Sequence, residues 1–214
     1  MSNDPYTAKA ASTASPAEKI KELRDEVINS SKFAMLTTRS KDGTLHSRAM
    51  SPASDKGLVF VFIANNESGK FDDLEHDENV NISFSDASST NWASVSGKAS
   101  ILWHHCRTLS KTMTDPESIK PFWNPALKAW FGDLGGEKNG TYTDPRVSAI
   151  PRLSARIVQE VRPSEINYWV STRTSIGQVL DVAKSALTGE TAAPGHLRTI
   201  SGSDLEIAKS SEQN

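Results

Sequence analysis

Cysteine is almost missing from this sequence: Cys106 is its one thiol in 214 residues. That excludes an intramolecular disulfide and a multi-cysteine zinc site, and it suits a reducing, cytoplasmic setting. An excess of one charge sign is missing as well, with 24 Lys+Arg against 26 Asp+Glu and a formal net charge of -2. No sequence-wide basic field exists to hold a phosphate backbone or an anionic bilayer, so neither nucleic acid nor membrane is an expected partner. No apolar run approaches the roughly 18 residues that a membrane span needs. Hydrophobic residues make up 36% of the chain, the composition of a water-soluble globule. Residues Met1 to Ser15 are rich in Ala, Ser and Thr and lack the basic and apolar regions of a secretory signal. Two phosphate fingerprints are also absent. Gly97 lies in no Gly-rich dinucleotide motif, and Phe71 stands after Gly69-Lys70 where a Walker A loop needs Ser or Thr.

What is present reads as one domain over 15–187, between an N-terminal tail, 1–14, and a polar, mostly flexible tail, 188–214. Ser15-Pro16-Ala17-Glu18 combines an N-cap, Pro at N1 and Glu at N3, and predicts a helix to about Asn29 with Ile20, Leu23, Val27 and Ile28 on its apolar face. Extended segments follow at Phe33 to Arg39 and Leu45 to Met50, joined by a hairpin turn at Asp42-Gly43. Leu58 to Ala64 is continuously apolar and predicts a central strand. Ser68 caps a short helix, Val80, Ile82 and Phe84 alternate along another strand, and Trp92 to about Trp103 forms the next. Short helices are expected within Arg107 to Phe131, with Asp115-Pro116 and Asn124-Pro125 as starts, then a Gly-rich loop from Gly132 to Pro145. Tyr168 to Val170 is a brief strand, and Ile176 to Leu187 carries the stripe of a final helix. Hairpin-sized connections favour an antiparallel sheet or barrel over a doubly wound parallel one.

Three constellations bear on chemistry. Ser68-Gly69-Lys70 would offer a helix N-terminus, a hydroxyl, a close approach and a charge to a phosphate; the other reading is a capped surface helix. Arg48 shares a strand face with His46 and Met50, and either snorkels to solvent or meets an anion. Phe122, Trp123, Trp130 and Phe131 either build a core or interface, or flank a planar cofactor. His104-His105-Cys106 is not a metal motif: alternate residues of a strand face opposite ways, leaving His104 and Cys106 without a third ligand of matching spacing.

Taken in order and spacing, several segments resemble the FMN-binding split-barrel proteins related to pyridoxamine 5'-phosphate oxidase. They are Phe33 to Thr38, Ser47-Arg48-Ala49-Met50, Val61 to Lys70, Asn79 to Ser85, Ser94 to Ala99, Phe122 to Pro125, Ala129 to Phe131 and Tyr168-Trp169. More narrowly they are similar to the general-stress-protein branch that includes fungal blue-light-inducible proteins. The resemblance implies a mainly β fold with peripheral helices (α+β), built as a six-stranded antiparallel split β-barrel. It also implies a homodimer with FMN in clefts between subunits. Arg48 would reach the phosphate or flavin edge, and the backbone of Ala49, Met50 and Ser51 would bond the ring. Ala64 and Asn65 at the end of the third strand, with Ser68 and Lys70, would grip the phosphate, and Trp130 would come from the partner. Ala64, Trp92 and His104 depart from the family pattern, and the change at Ala64 removes a phosphate donor. The implied activity is that of an FMN-dependent oxidoreductase linked to stress or light response; the alternative is a flavin carrier or sensor without turnover. No acid/base dyad beside the flavin is apparent, so no catalytic side chain is assigned.

Overall fold

Ser15 opens the first helix through the capping box its spacing predicts: its Oγ accepts from the Glu18 N–H at 3.3 Å, and Glu18 Oε2 accepts from the Ser15 N–H at 2.8 Å. The computed structural model describes residues 14–31, 33–63, 70–101, 119–144, 146–147, 158–172, 187–188 and 195–211. The α-helix Pro16–Glu22 (α1) continues as a π-helical stretch, Leu23–Ile28, in which the Asn29 N–H reaches the Arg24 carbonyl at 2.9 Å. Ile20, Leu23 and Val27 are buried along it, as the apolar spacing requires.

The strands are Ala34–Arg39 (β1), Leu45–Met50 (β2), Phe60–Ile63 (β3), Asn79–Ser85 (β4), Trp92–Ile101 (β5), Val158–Ser171 (β6) and Gly195–Ile200 (β7). Helices Lys70–His76 (α2), Lys128–Phe131 (α3) and Gly202–Ser211 (α4) complete the described elements, with 3-10 turns at Lys56–Leu58, Lys120–Phe122 and Pro125–Leu127. The β1–β2 turn forms at Asp42-Gly43. Gly43 takes φ +89°, and hydrogen bonds from Ser40 and Thr44 hold the Asp42 carboxyl down at about 2. All four residues of β3 are buried, as its continuous apolar character predicts, but β3 lies at one end of the strand order and not at its centre. It begins at Phe60 rather than Leu58, because Gly57 and Leu58 both adopt positive φ in a turn.

The sheet has seven strands in the order β2-β1-β4-β5-β6-β3, with β7 paired to β6. The β3–β6 and β6–β7 ladders are antiparallel. The mainly β class therefore holds; where a six-stranded split barrel is expected, the sheet among the described residues has seven strands and does not close. β2 and β3 stand at the ends of the strand order, and Ser54, in the connection between them, forms an isolated antiparallel bridge to Val61 of β3. The seventh strand exists because β6 is 14 residues long. Its first residues, Val158 to Val161, pair with β3, and Ile166 to Ser171 pair with β7. Pro163 falls between the two ladders, where its missing N–H breaks neither.

The polar stretch 188–214, expected to be mostly flexible, instead supplies β7 and α4. The Ala/Ser/Thr-rich tail up to residue 13, the Asp115-Pro116 helix start and most of the expected helix at Ile176 to Leu187 lie outside the described residues.

Backbone contacts divide the chain into two compact units, one of 1–35, 81–96 and 163–214, the other of 36–80 and 97–162. The first unit has its core around Leu23, Val27, Ile82, Ile166, Tyr168 and Ile200. Tyr168 donates to the Glu22 carboxylate at 2.9 Å, and burial together with that neighbour pushes the phenol far above its ordinary range. In the second unit, Val61, Ile63, Ile119, Phe131 and Val147 form a cluster against which Phe122, Trp123, Leu127 and Tyr142 pack.

Candidate functional site

Arg48 stands on β2, half-buried, in a strand whose other residues are mostly exposed. Its Nη1 donates to Thr38 Oγ1 at 2.8 Å and its Nη2 to Asp73 Oδ2 at 3.1 Å. Thr38 itself donates to the same Asp73 oxygen at 2.7 Å, and His46 Nδ1 lies 3.1 Å from it. Strand geometry brings His46 and Arg48 to one face of β2, while Ser47 bonds Thr37 across the hairpin at 3.0 Å. Thr38 follows Ala34 and Leu36 on the inward face of β1, so a hydroxyl occupies a position where the alternation calls for an apolar side chain. Asp73 lies in α2 beside buried Leu74, and is itself buried.

Burial alone would raise the Asp73 pKa. Hydrogen bonds from Thr38, His46 and Arg48, with the charge of Arg48, outweigh it and hold the carboxyl below its ordinary 3.8. The result is an ionised aspartate fixed behind a partly exposed guanidinium.

β2 is an end strand of the sheet, so on its outer side the backbone of Ala49 and Met50 has no strand partner among the described residues. Ala49 and Ser51 are exposed and Met50 is half-buried. Ala64, Asn65 and Ser68 lie outside the described residues; Lys70 begins α2, and its side chain is likewise outside them. The structure thus brings α2 against the strand bearing Arg48 through Asp73. His104 and Cys106 also fall outside the described residues.

The aromatic group divides. Trp123 and Phe131 pack with ring centroids 5.8 Å apart at 47°, inside the core cluster. Trp130, on the opposite side of the same short helix, is 84% exposed. Core packing therefore accounts for Phe122, Trp123 and Phe131, and Trp130 alone of the four is a large solvent-facing ring. The Gly-rich loop beyond α3 is tied down by a buried pair. Arg146 bonds Asp144 through Nε at 3.0 Å and Nη2 at 2.8 Å, and donates to the carbonyls of Phe131 and Gly132.

Sequence reasoning located Arg48 and missed Asp73 and Thr38. Thr38 could have been found as the polar member of an otherwise apolar inward set. Asp73 could not, because Asp72, Asp73 and Glu75 look alike on a short charged helix.

These features define an α+β protein with a largely antiparallel sheet whose end strand carries a braced arginine beside a backbone edge without a strand partner among the described residues. Residues 18–193 match the family model described as pyridoxamine 5'-phosphate oxidase like, and the chain belongs to that family. Protein bli-3 of Neurospora crassa is 40% identical over 213 residues, covering 97% of this chain and 92% of that protein. Two solved structures share the fold. A protein of Jannaschia sp. CCS1 described as general stress protein 26 has TM-score 0.55 at 20% identity, over 86% of this chain and 99% of its own. A Clostridium acetobutylicum protein described as related to general stress protein 26 has TM-score 0.54 at 15% identity, over 90% and 99%. Among the described residues no helix is long and apolar enough to cross a membrane.

Proposed function

We propose that this protein binds FMN along β2 and at the passage from β3 into α2, and acts as a flavin-dependent oxidoreductase in a stress or light response. The observation that carries the reading is Arg48, braced on the end strand and followed directly by Ala49 and Met50, whose outer edge has no strand partner among the described residues, in a chain of this family. An arginine suits a phosphate or the polar flavin edge, and free N–H and C=O groups suit the heteroatoms of the ring. Ala64, Asn65, Ser68 and Lys70 complete the set by family resemblance, with Lys70 as the principal phosphate cation. Bound FMN would supply hydride or electron transfer; the chain's residues hold and orient it. The names of the relatives, general stress protein 26 and bli-3, support the physiological setting. The cytoplasm fits the single cysteine.

Trp130 and Leu134, 84% and 68% exposed, support a homodimer in which this end of the second unit meets a partner. Light scattering should then give about twice the 23.3 kDa chain mass.

The visible spectrum after incubation with FMN, riboflavin, FAD and haem tests the cofactor. Calorimetry on Lys70→Ala tests the phosphate grip: FMN affinity should fall by roughly 10- to 100-fold while riboflavin affinity hardly changes, since one charge-assisted hydrogen bond contributes on the order of 1.5 to 3 kcal/mol. A protein that takes up no flavin, or a folded Lys70→Ala that keeps full FMN affinity, would refute the assignment. A second reading, a flavin carrier without turnover, is favoured by Asp73, the carboxylate nearest Arg48, being engaged by three donors rather than open to a substrate. NADH or NADPH reduction with a screen of acceptors separates the two: a carrier binds FMN and does not cycle.

A further inference from the structure

We infer that Asp73 is a positioning residue for the cofactor site, acting through the guanidinium of Arg48 and not on the ligand. The inference rests on the FMN reading above and deepens it. Arg48 is held by both terminal nitrogens, one on Thr38 and one on Asp73, and these two acceptors are bonded to each other at 2.7 Å. Two bonds to a linked pair fix the guanidinium plane as well as its position, which one acceptor could not do. The acceptors are 1% and 5% exposed, so the brace is anchored in packed structure, whereas the Arg48 side chain is 30% exposed. The charged group is therefore held from the packed side, while part of the Arg48 side chain stays exposed.

Preorganisation of this kind raises affinity by removing the cost of ordering a long side chain when the ligand arrives. Asp73 also sets the charge balance, since without it Arg48 would lose its facing anion. His46, on the same strand face, adds a third contact to the Asp73 oxygen and keeps that carboxylate turned toward β2.

The test is a double-mutant cycle read by calorimetry with FMN, riboflavin run in parallel, and thermal unfolding confirming that each protein is folded. Arg48→Ala should weaken FMN binding at least tenfold. Asp73→Asn, which keeps the shape and removes the charge, should weaken it about three- to tenfold. Adding Asp73→Asn to Arg48→Ala should change FMN affinity less than twofold, because a residue that acts through Arg48 has nothing left to act on. A merely structural Asp73 would cost the same in both backgrounds, and that result overturns the inference. So does a folded Asp73→Asn with wild-type or tighter FMN binding. If Asp73→Asn does not fold, Thr38→Val removes the other half of the brace and should reproduce the loss; unchanged FMN affinity in folded Thr38→Val overturns the inference equally. Wild-type protein that takes up no FMN would refute the cofactor reading, and the positioning role with it. Wild-type binding with an unaffected Asp73→Asn refutes the positioning role alone.

Discussion

At the scale of single residues, what decides a charge's effect is where its partner stands. Asp73 has a folded pKa below the ordinary 3.8 despite its burial. The folded state therefore binds its proton less readily than the unfolded chain does. Stability from the ionised form is fully present above about pH 4 and is lost as pH falls through the lowered value. Asp73→Asn should be less stable than wild type at pH 7, with a difference that shrinks as the pH drops below about 4. Urea midpoints across that range measure this, and a pH-independent difference would contradict it. Asp144 and Arg146 form a pair at 2.8 Å with almost no exposed side-chain surface, whereas Lys128 and Asp133, at 3.5 Å, are both about half exposed. Asp144→Ala removes a carboxylate from a buried guanidinium and should cost about 3 to 5 kcal/mol. Asp133→Ala, which breaks a pair that water screens, should change stability far less. Chemical denaturation of the two variants side by side checks the contrast.

At the scale of elements, β6 and β7 depend on one position that admits no side chain. A Cβ on Gly195 would stand 2.4 Å from the Val170 carbonyl oxygen and 2.6 Å from the Trp169 ring. Backbone and a large indole must both move to accept it. Gly195→Ala should destabilise the protein by about 1 to 3 kcal/mol, the usual cost of overpacking, despite adding a single methyl group. Thermal unfolding gives the figure, with hydrogen exchange at β7 showing where the loss falls. By contrast Gly135, at φ +84° with nothing within 4 Å of its Cβ position, has room for a methyl and meets only backbone strain.

For the whole molecule, the last strand and helix decide whether the first unit is complete. Ile200 is fully buried and Leu205 nearly so, and Lys19 of α1 pairs with Asp204 at 3.2 Å. A chain ending at Pro194 would uncover β6 from Ile166 to Ser171 along a whole ladder. Exposed strand edges of that length promote association between chains. The truncated protein should unfold at lower temperature and aggregate, visible by calorimetry and light scattering. A truncated chain as stable and soluble as the full one would show that β7 and α4 are dispensable.

The sequence by itself determined the elements whose signals are local. A capping box fixes the start of α1, Asp42-Gly43 fixes the first hairpin, and Val80, Ile82 and Phe84 fix the inward face of β4. Each depends on residues within a few positions of one another, where sterics and hydrogen bonding act without the rest of the chain. It also singled out Arg48, because an arginine in a strand pattern is conspicuous. The tertiary structure alone decided what Arg48 faces, since Asp73 lies 25 residues away and reads as one more helix acid. The same holds for β7, whose polar sequence becomes a strand because β6 is long enough to offer it a ladder. Pairing and bracing are properties of the partner's position, and composition carries no record of that position until the chain has folded.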